Sequence, residues 1–350
     1  MKKITFAAVA MMLLTACSSP EQAPATIDIS GTITGLGDES IVLRYRFEST
    51  TYMDTITATD GAFAFSKEIT LPNPVWATLI YIGEQEVEHR FAEFFIDNGV
   101  AIAIEGDLNN LRELNAHNSP LFSDVVKLRE QNKRDGFDFA KMAENRQNFI
   151  DNNKDSEYAA YLYTATLLRK SAEEVEADFL QFTEKVRNSV FGQLILTYIE
   201  TARNTAPGAP APNFTQHDID GNIITLEQFK GKHVMLIFWG SWCGPCRRSH
   251  PHLMELVNKY KDDNIVFIGF ASDRDKDKWK EAIAADGLDF IHCNLFDRLD
   301  GEDVQAMYNV RAFPTKVFID AEGKIVNTII GSGDEEKKAL EEMLVVALGR

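Results

Sequence analysis

Cysteine is scarce in this chain, four residues in 350, which excludes a disulfide-stapled scaffold, since such scaffolds pack their cysteines far more densely. Positive charge is short as well. Lys and Arg number 36 against 53 Asp and Glu, a net charge of −17 at pH 7. That balance argues against nucleic acid or anionic lipid headgroups as partners, because both need a positive surface. The apolar run at the start, Ile4 to Leu14, falls short of the roughly 20 residues of a membrane-spanning helix. No internal repeat is visible. What is present is length: 350 residues, 45% hydrophobic and 25% charged, bury more than one core and exclude both a single small module and a disordered polymer. Two or three domains are expected, and with so few cysteines their positions matter more than their number.

The first cysteine reads as an address. Lys2 and Lys3 precede the apolar run, and Leu14-Thr15-Ala16-Cys17 follows it, with Ser18, Ser19 and Pro20 next. A basic start, a short apolar core and small residues at the cut describe a secretory signal peptide. The Leu-Thr-Ala-Cys sequence resembles the bacterial lipobox, which implies cleavage before Cys17 and diacylation of its thiol. Residues 1–16 are then a lipoprotein signal peptide, and 17–26 a flexible tether holding the mature chain to a membrane by acyl chains. An ordinary cleaved signal with a chance cysteine is the alternative.

Residues 27–110 predict an antiparallel all-β domain. Ile41, Leu43, Tyr45 and Phe47 alternate with Val42, Arg44 and Arg46, Phe63 and Phe65 follow a turn at Asp60-Gly61, and Asn98-Gly99 reads as a hairpin turn into Val100, Ile102 and Ile104. The region has no cysteine and no glycine loop of phosphate-binding type, so its aromatic residues are read as sheet core. Residues 111–205 predict a helical middle segment: Ser119-Pro120 is a helix-start signal, and Val175, Phe179, Phe182, Val186 and Val190 keep the 3.6 period. Glu173, Glu174 and Glu176 read as a solvated face. Ala206 to Pro212, with three prolines and a glycine, is a linker by composition.

From 206 to 350 the pattern changes to α/β. Val234 to Trp239 is an apolar run typical of a strand buried on both faces; Trp242-Cys243-Gly244-Pro245-Cys246 follows and opens a helix carrying Leu253, Leu256, Val257 and Tyr260. Strands at 265–270, 317–319 and 325–330 and helices at 276–285 and 334–348 complete the order. Two cysteines three residues apart at a helix start can close a small disulfide ring. The first sits where unpaired N–H groups and the positive end of the helix dipole favour a thiolate, with Arg247 and Arg248 adding potential of the same sign. This makes Cys243 the attacking thiol, with a pKa below the free value of about 8.5, and Cys246 the resolving thiol.

The Phe238-Trp239 strand end, the Trp242–Cys246 motif and Phe313-Pro314-Thr315 resemble the thioredoxin family, within it the membrane-tethered branch of thiol-disulfide oxidoreductases of cytochrome c maturation. The resemblance implies a thioredoxin-like fold for 206–350, a redox-active Cys243–Cys246 disulfide, and a cis-proline at Pro314. It also implies a substrate chain bound as an extended strand beside Trp242, Phe313, Pro314 and Thr315. A lipoprotein β-domain ahead of such a fold is similar to the N-terminal domain of thioredoxin-like proteins in Bacteroidetes. Ile237 stands where thioredoxins keep a buried aspartate, and Ser249 where the cytochrome-maturation branch has a glutamate. The proton acceptor for Cys246 is therefore open: His250 and His252 suit it by pKa, or they simply line the helix surface.

Cys243, Cys246, His250 and His252 crowd into ten residues, unlike structural zinc sites with ligand pairs on separate elements, so no metal and no cofactor is expected. Cys293, in the apolar stretch Phe290 to Phe296, reads as a buried small residue. A peroxiredoxin is the enzymatic rival, but Gly240 stands where that family places threonine, three residues before its cysteine. A ligand- or partner-binding lipoprotein with an accessory redox domain is the rival of another class. The sequence thus predicts a lipid-anchored envelope oxidoreductase, on the periplasmic side of a membrane, exchanging disulfides with protein substrates as a reductant. Its partners are protein thiols or disulfides, a membrane electron donor and the membrane itself, but not nucleic acid.

Overall fold

The computed structural model describes residues 25–47, 50–82, 88–299 and 301–349; the signal peptide, Cys17 and all but the last two residues of the tether lie outside them. The chain divides into two compact units, up to Asn145 and from Arg146 onward. Among the described residues no helix is long and apolar enough to cross a membrane.

The first unit contains β1 (Thr26–Thr34), β2 (Ser40–Phe47), β3 (Thr50–Thr57), β4 (Ala62–Glu68), β5 (Val75–Ile82), β6 (Glu88–Ile96), β7 (Ala101–Asp107) and β8 (Asn115–His117). Helix α1 (Phe122–Arg134) follows, and α2 (Phe139–Asn152) carries the unit boundary. The strands form two four-stranded sheets, ordered β4-β1-β7-β8 and β3-β2-β5-β6. Every second side chain of a strand points to the same face. Ile27, Ile29, Ile33, Ile102 and Ile104 of one sheet therefore meet Ile41, Leu43, Leu79 and Phe94 of the other in one core.

Three local expectations fail here. The strands are not all antiparallel: β1 and β7 pair in parallel, Asp28 opposite Ala101 through Thr34 opposite Asp107. The Asn98-Gly99 turn does not close a hairpin, because β6 and β7 belong to different sheets. Asn98 instead ties the turn to the loop before β5, accepting from the Leu71 N–H and donating to the Leu71 carbonyl, both at 2.8 Å. Ser119 does not cap α1 either. Its hydroxyl is engaged with Phe95, accepting from the amide at 3.0 Å and donating to the carbonyl at 2.8 Å, and the helix starts after Leu121.

The second unit opens with α3 (Glu157–Thr164), α4 (Ala172–Phe179), α5 (Glu184–Arg187) and α6 (Val190–Asn204). The 3.6 period through 175–199 is broken into three helices because Thr183 and Ser189 each accept a backbone N–H and so start new ones. The rest comprises β9 (Thr215–Asp218), β10 (Ile223–Thr225), β11 (His233–Trp239), α7 (Gly244–Tyr260), β12 (Ile265–Ala271), α8 (Lys276–Asp286) and β13 (Ile291–Arg298). It ends with α9 (Val304–Met307), β14 (Thr315–Ile319), β15 (Ile325–Ile330) and α10 (Asp334–Ala347). The sheet is seven-stranded in the order β10-β9-β13-β12-β11-β14-β15, with β11, β12 and β13 parallel and β14 antiparallel to β11. Strand β13 is an addition to the sequence expectation.

Strand β11 is central, and its two faces enter two cores. Val234, Leu236 and Phe238 pack with Phe214, Phe270 and Val317; Met235 and Ile237 pack with Leu253, Leu256, Phe318 and Leu344. The proline-rich 206–212 stretch is tied down at the sheet edge: Gly208 N–H donates to Ile325 O (2.7 Å) and Ala211 N–H to Gly323 O (2.9 Å).

Candidate active site

A buried strand leading straight into a helix start is what places the two cysteines. Cys243 is the N-cap of α7 and Cys246 lies in its first turn; they are 5% and 0% exposed and joined as a disulfide. The Cys246 N–H donates to Cys243 Sγ at 3.2 Å, so the first sulfur already takes one of the unpaired donors of the helix start. Pro245 occupies the first turn, where its missing N–H costs nothing.

The other residues singled out by sequence stand around the pair. Trp242 is 64% exposed, held by its Nε1–H donating to the Ser272 carbonyl at 2.8 Å, and its ring meets Phe313 edge-on at 5.8 Å between centroids. The Phe313–Pro314 peptide bond is cis. Thr315 is buried, opposite Phe238 in the β11–β14 ladder, and donates through Oγ1 to Ala312 O at 2.8 Å. Arg248 is exposed on the first turns of α7. Cys293 is fully buried in a core separate from that of the cysteine pair, and burial pushes its thiol up to about 12.

His250 and His252 part company. His252 Nε2 donates to Glu341 of α10 at 2.7 Å, on the outer side of α7. His250 is 2% exposed, with its ring edge-on to Trp239 at 4.9 Å, and its Nδ1–H donates to Asp286 Oδ2 at 2.6 Å. Arg247 forks onto the same carboxylate, through Nε to Oδ2 and through Nη2 to Oδ1 at 2.6 Å. Burial pushes the Asp286 carboxyl upward, but Arg247 and His250 outweigh it and hold it below the usual carboxylate value. For His250, burial prevails over Asp286 and lowers the imidazole below its ordinary value.

Three residues that sequence reading passed over support the site. Asp273, 3% exposed, accepts from Ser241 N–H at 2.9 Å and Ser241 Oγ at 2.5 Å, fastening the loop before Cys243 to the end of β12. Asp286, at the far end of α8, completes the Arg247–His250 cluster. Lys316 lies across from Ile237 in the β11–β14 ladder, is 5% exposed and donates from Nζ to Gly331 O at 2.8 Å; burial brings it down to about 8. An apolar residue therefore holds the place of the thioredoxin aspartate, with a buried amine opposite. Ser249 is buried and donates to the Cys246 carbonyl at 2.7 Å, a helix-internal bond.

A mixed sheet whose central strand leads into a helix opened by a bonded cysteine pair, with a cis-proline just before the neighbouring strand and an exposed tryptophan at the rim, defines a thioredoxin-like redox protein. The Redoxin match and the curated relatives agree. A family model described as Redoxin matches residues 206–344, and a second, described as a domain of unknown function, matches 27–124. The chain is 37% identical over 137 residues to the thiol-disulfide oxidoreductase ResA of Bacillus anthracis, covering 39% of this chain and 76% of that protein. To the thioredoxin-like protein YneN of Bacillus subtilis it is 32% identical over 152 residues, 43% of this chain and 86% of that one. Among solved structures, the thioredoxin domain of a thiol-disulfide oxidoreductase from Bacteroides vulgatus aligns at 34% identity, over 39% of this chain and 97% of that one, with a TM-score of 0.35. The chain belongs to the thioredoxin-like thiol-disulfide oxidoreductases, enzymes that exchange electrons with thiols and disulfides.

Proposed function

We propose that this chain reduces disulfides of envelope proteins through Cys243 and Cys246, Cys243 attacking the substrate disulfide and Cys246 resolving the mixed disulfide. The observation that carries the reading is the cysteine pair itself, at the start of α7, with Trp242 exposed beside it. Cys243 has the N-cap position that favours a thiolate, while Cys246 is enclosed and meets only a partner already bound to its neighbour. The substrate strand lies along Trp242, Phe313, Pro314 and Thr315, and the chemistry is confined to 206–350.

The remaining elements of the reading come from the sequence. Residues 1–16 serve as a signal peptide, Cys17 carries the lipid, and 17–26 tether the protein to the periplasmic side of a membrane. A reductant in an oxidising compartment must be recharged, so a membrane electron donor reduces the pair after each turnover. The Gly-Pro between the cysteines, as in reducing thioredoxins at about −270 mV, supports this direction.

The test is a pair of substitutions. Cys243→Ser abolishes reduction of a protein disulfide, and Cys246→Ser accumulates a mixed disulfide that can be isolated and its partner identified by mass spectrometry. Disulfide reduction retained by Cys243→Ser overturns the assignment.

A further inference from the structure

The disulfide-exchange reading leaves one proton without a destination. Once Cys243 is bonded to a substrate sulfur, Cys246 must lose its thiol proton to attack, and it is fully buried. The acids that the fold's relatives place nearby are here Ile237 and Ser249, and the Ser249 hydroxyl is spent on the Cys246 carbonyl.

His250 is positioned for that proton. It follows Cys246 by four residues on α7, so the two side chains lie on one face, one turn apart. Helical side chains lean toward the N-terminus, which brings the imidazole back over the turn that carries Cys246. The His250 ring packs on Trp239, and Trp239 shares a core with both cysteines. Asp286 accepts from Nδ1, and since a carboxylate only accepts, the hydrogen sits on Nδ1 and the Nε2 lone pair is left as the basic site. Arg247 forks onto that same carboxylate, keeping it ionised and fixed.

Resting on the reading of Cys246 as the resolving thiol, we infer that His250, oriented by Asp286, is the base that takes the Cys246 proton. Cys243 thiolate attacks the substrate disulfide, forms the mixed disulfide and expels the first substrate thiolate. His250 Nε2 then takes the Cys246 proton, the Cys246 thiolate attacks Cys243 Sγ, and the second substrate thiolate leaves as the Cys243–Cys246 bond forms. Two electrons pass from the protein dithiol to the substrate disulfide, and the imidazolium returns its proton to solvent or to the departing thiolate. Asp286 is a positioning residue, and so is Arg247 through it. Burial already keeps His250 in its neutral, proton-accepting form at neutral pH. The charged and titratable groups around it are Arg247 on α7, Asp286 on α8, Lys316 on β14 and His292 on β13.

The experiment is stopped-flow reaction of the reduced, full chain with substoichiometric 5,5′-dithiobis(2-nitrobenzoate). A first release of thionitrobenzoate reports attack by Cys243 and a second reports resolution by Cys246. His250→Gln is expected to slow the second release on the order of 100-fold, and Asp286→Asn by on the order of 10-fold, while the first keeps its rate. In the unmodified protein the second phase should titrate together with the His250 imidazole followed by NMR. This arm holds even if His250→Gln fails to fold. A second phase at full rate in His250→Gln, or one that titrates near 8 with Lys316 or with no ring resonance of His250, overturns the assignment. Absence of a second release in the unmodified protein, or its persistence in Cys243→Ser, would instead overturn the dithiol reading, and this one with it.

Discussion

His292 shows what burial does to a single ionisable side chain in this fold. It is 4% exposed on β13, its Nε2 donates to the Leu288 carbonyl at 3.3 Å, and burial brings its imidazole down from 6.5 to about 4. In the unfolded chain the same ring takes its proton near pH 6.5. Between those values the unfolded state binds a proton that the folded state refuses, so stability falls as pH drops through the window and recovers as it rises. The full loss from this group is about 3 kcal/mol, from the shift to about 4. His250, lowered in the same direction, adds to the loss. His292→Leu should therefore flatten the dependence: urea denaturation at pH 7 and pH 4.5 is expected to show a smaller drop for the variant than for the unmodified chain. Equal drops would mean that His292 is not the group responsible.

Between elements, the site depends on loops fastened at the ends of parallel strands. Asp273 takes two hydrogen bonds from Ser241, and its own carbonyl accepts from Asn294 Nδ2 at 2.8 Å, so the segments that follow β11 and β12 are joined to each other and to the middle of β13 through one residue. Asp273→Ala leaves the Ser241 N–H without its partner and is expected to cost about 1–3 kcal/mol. Amide exchange at Ser241 and Trp242 should quicken with it, measured by hydrogen–deuterium exchange; unchanged protection would mean the loop is held by Trp242 and Ser272 instead. The same feature explains what could be read from sequence. The Cys-x-x-Cys at a helix start is local, and so are the apolar run of β11 and the α7 stripe, because their meaning lies within a few residues. Asp273, Asp286 and Lys316 act through partners 32, 36 or more and 15 residues away, and only topology brings those together. Ser119 and Asn98 carry correct local signals for a cap and a turn, but tertiary partners on Phe95 and Leu71 claim their polar atoms. The parallel β1–β7 pair has no local signature at all.

Taken as a chain of two units, each with its own core, the protein should not unfold as one. The first unit is centred on the two β-sheets and the second on the cores around β11, and units built this way are expected to give separate cooperative transitions. The disulfide lies wholly in the second. Cys243 and Cys246 are three residues apart, so the bond removes little entropy from the unfolded chain, about 2 kcal/mol on a loop-closure estimate. In a unit of this size each kcal/mol moves the midpoint by about 2–4 °C. Calorimetry of the oxidised and reduced chain is therefore expected to show two transitions, only one of which shifts down on reduction, by about 4–8 °C. Cys246→Ala should place that transition at the reduced position whatever the redox state of the solution. A single transition, or one in which both midpoints move together with the state of the cysteines, would show that the two units are thermodynamically coupled. Redox state would then be felt in the β-domain as well as in the unit that carries the chemistry.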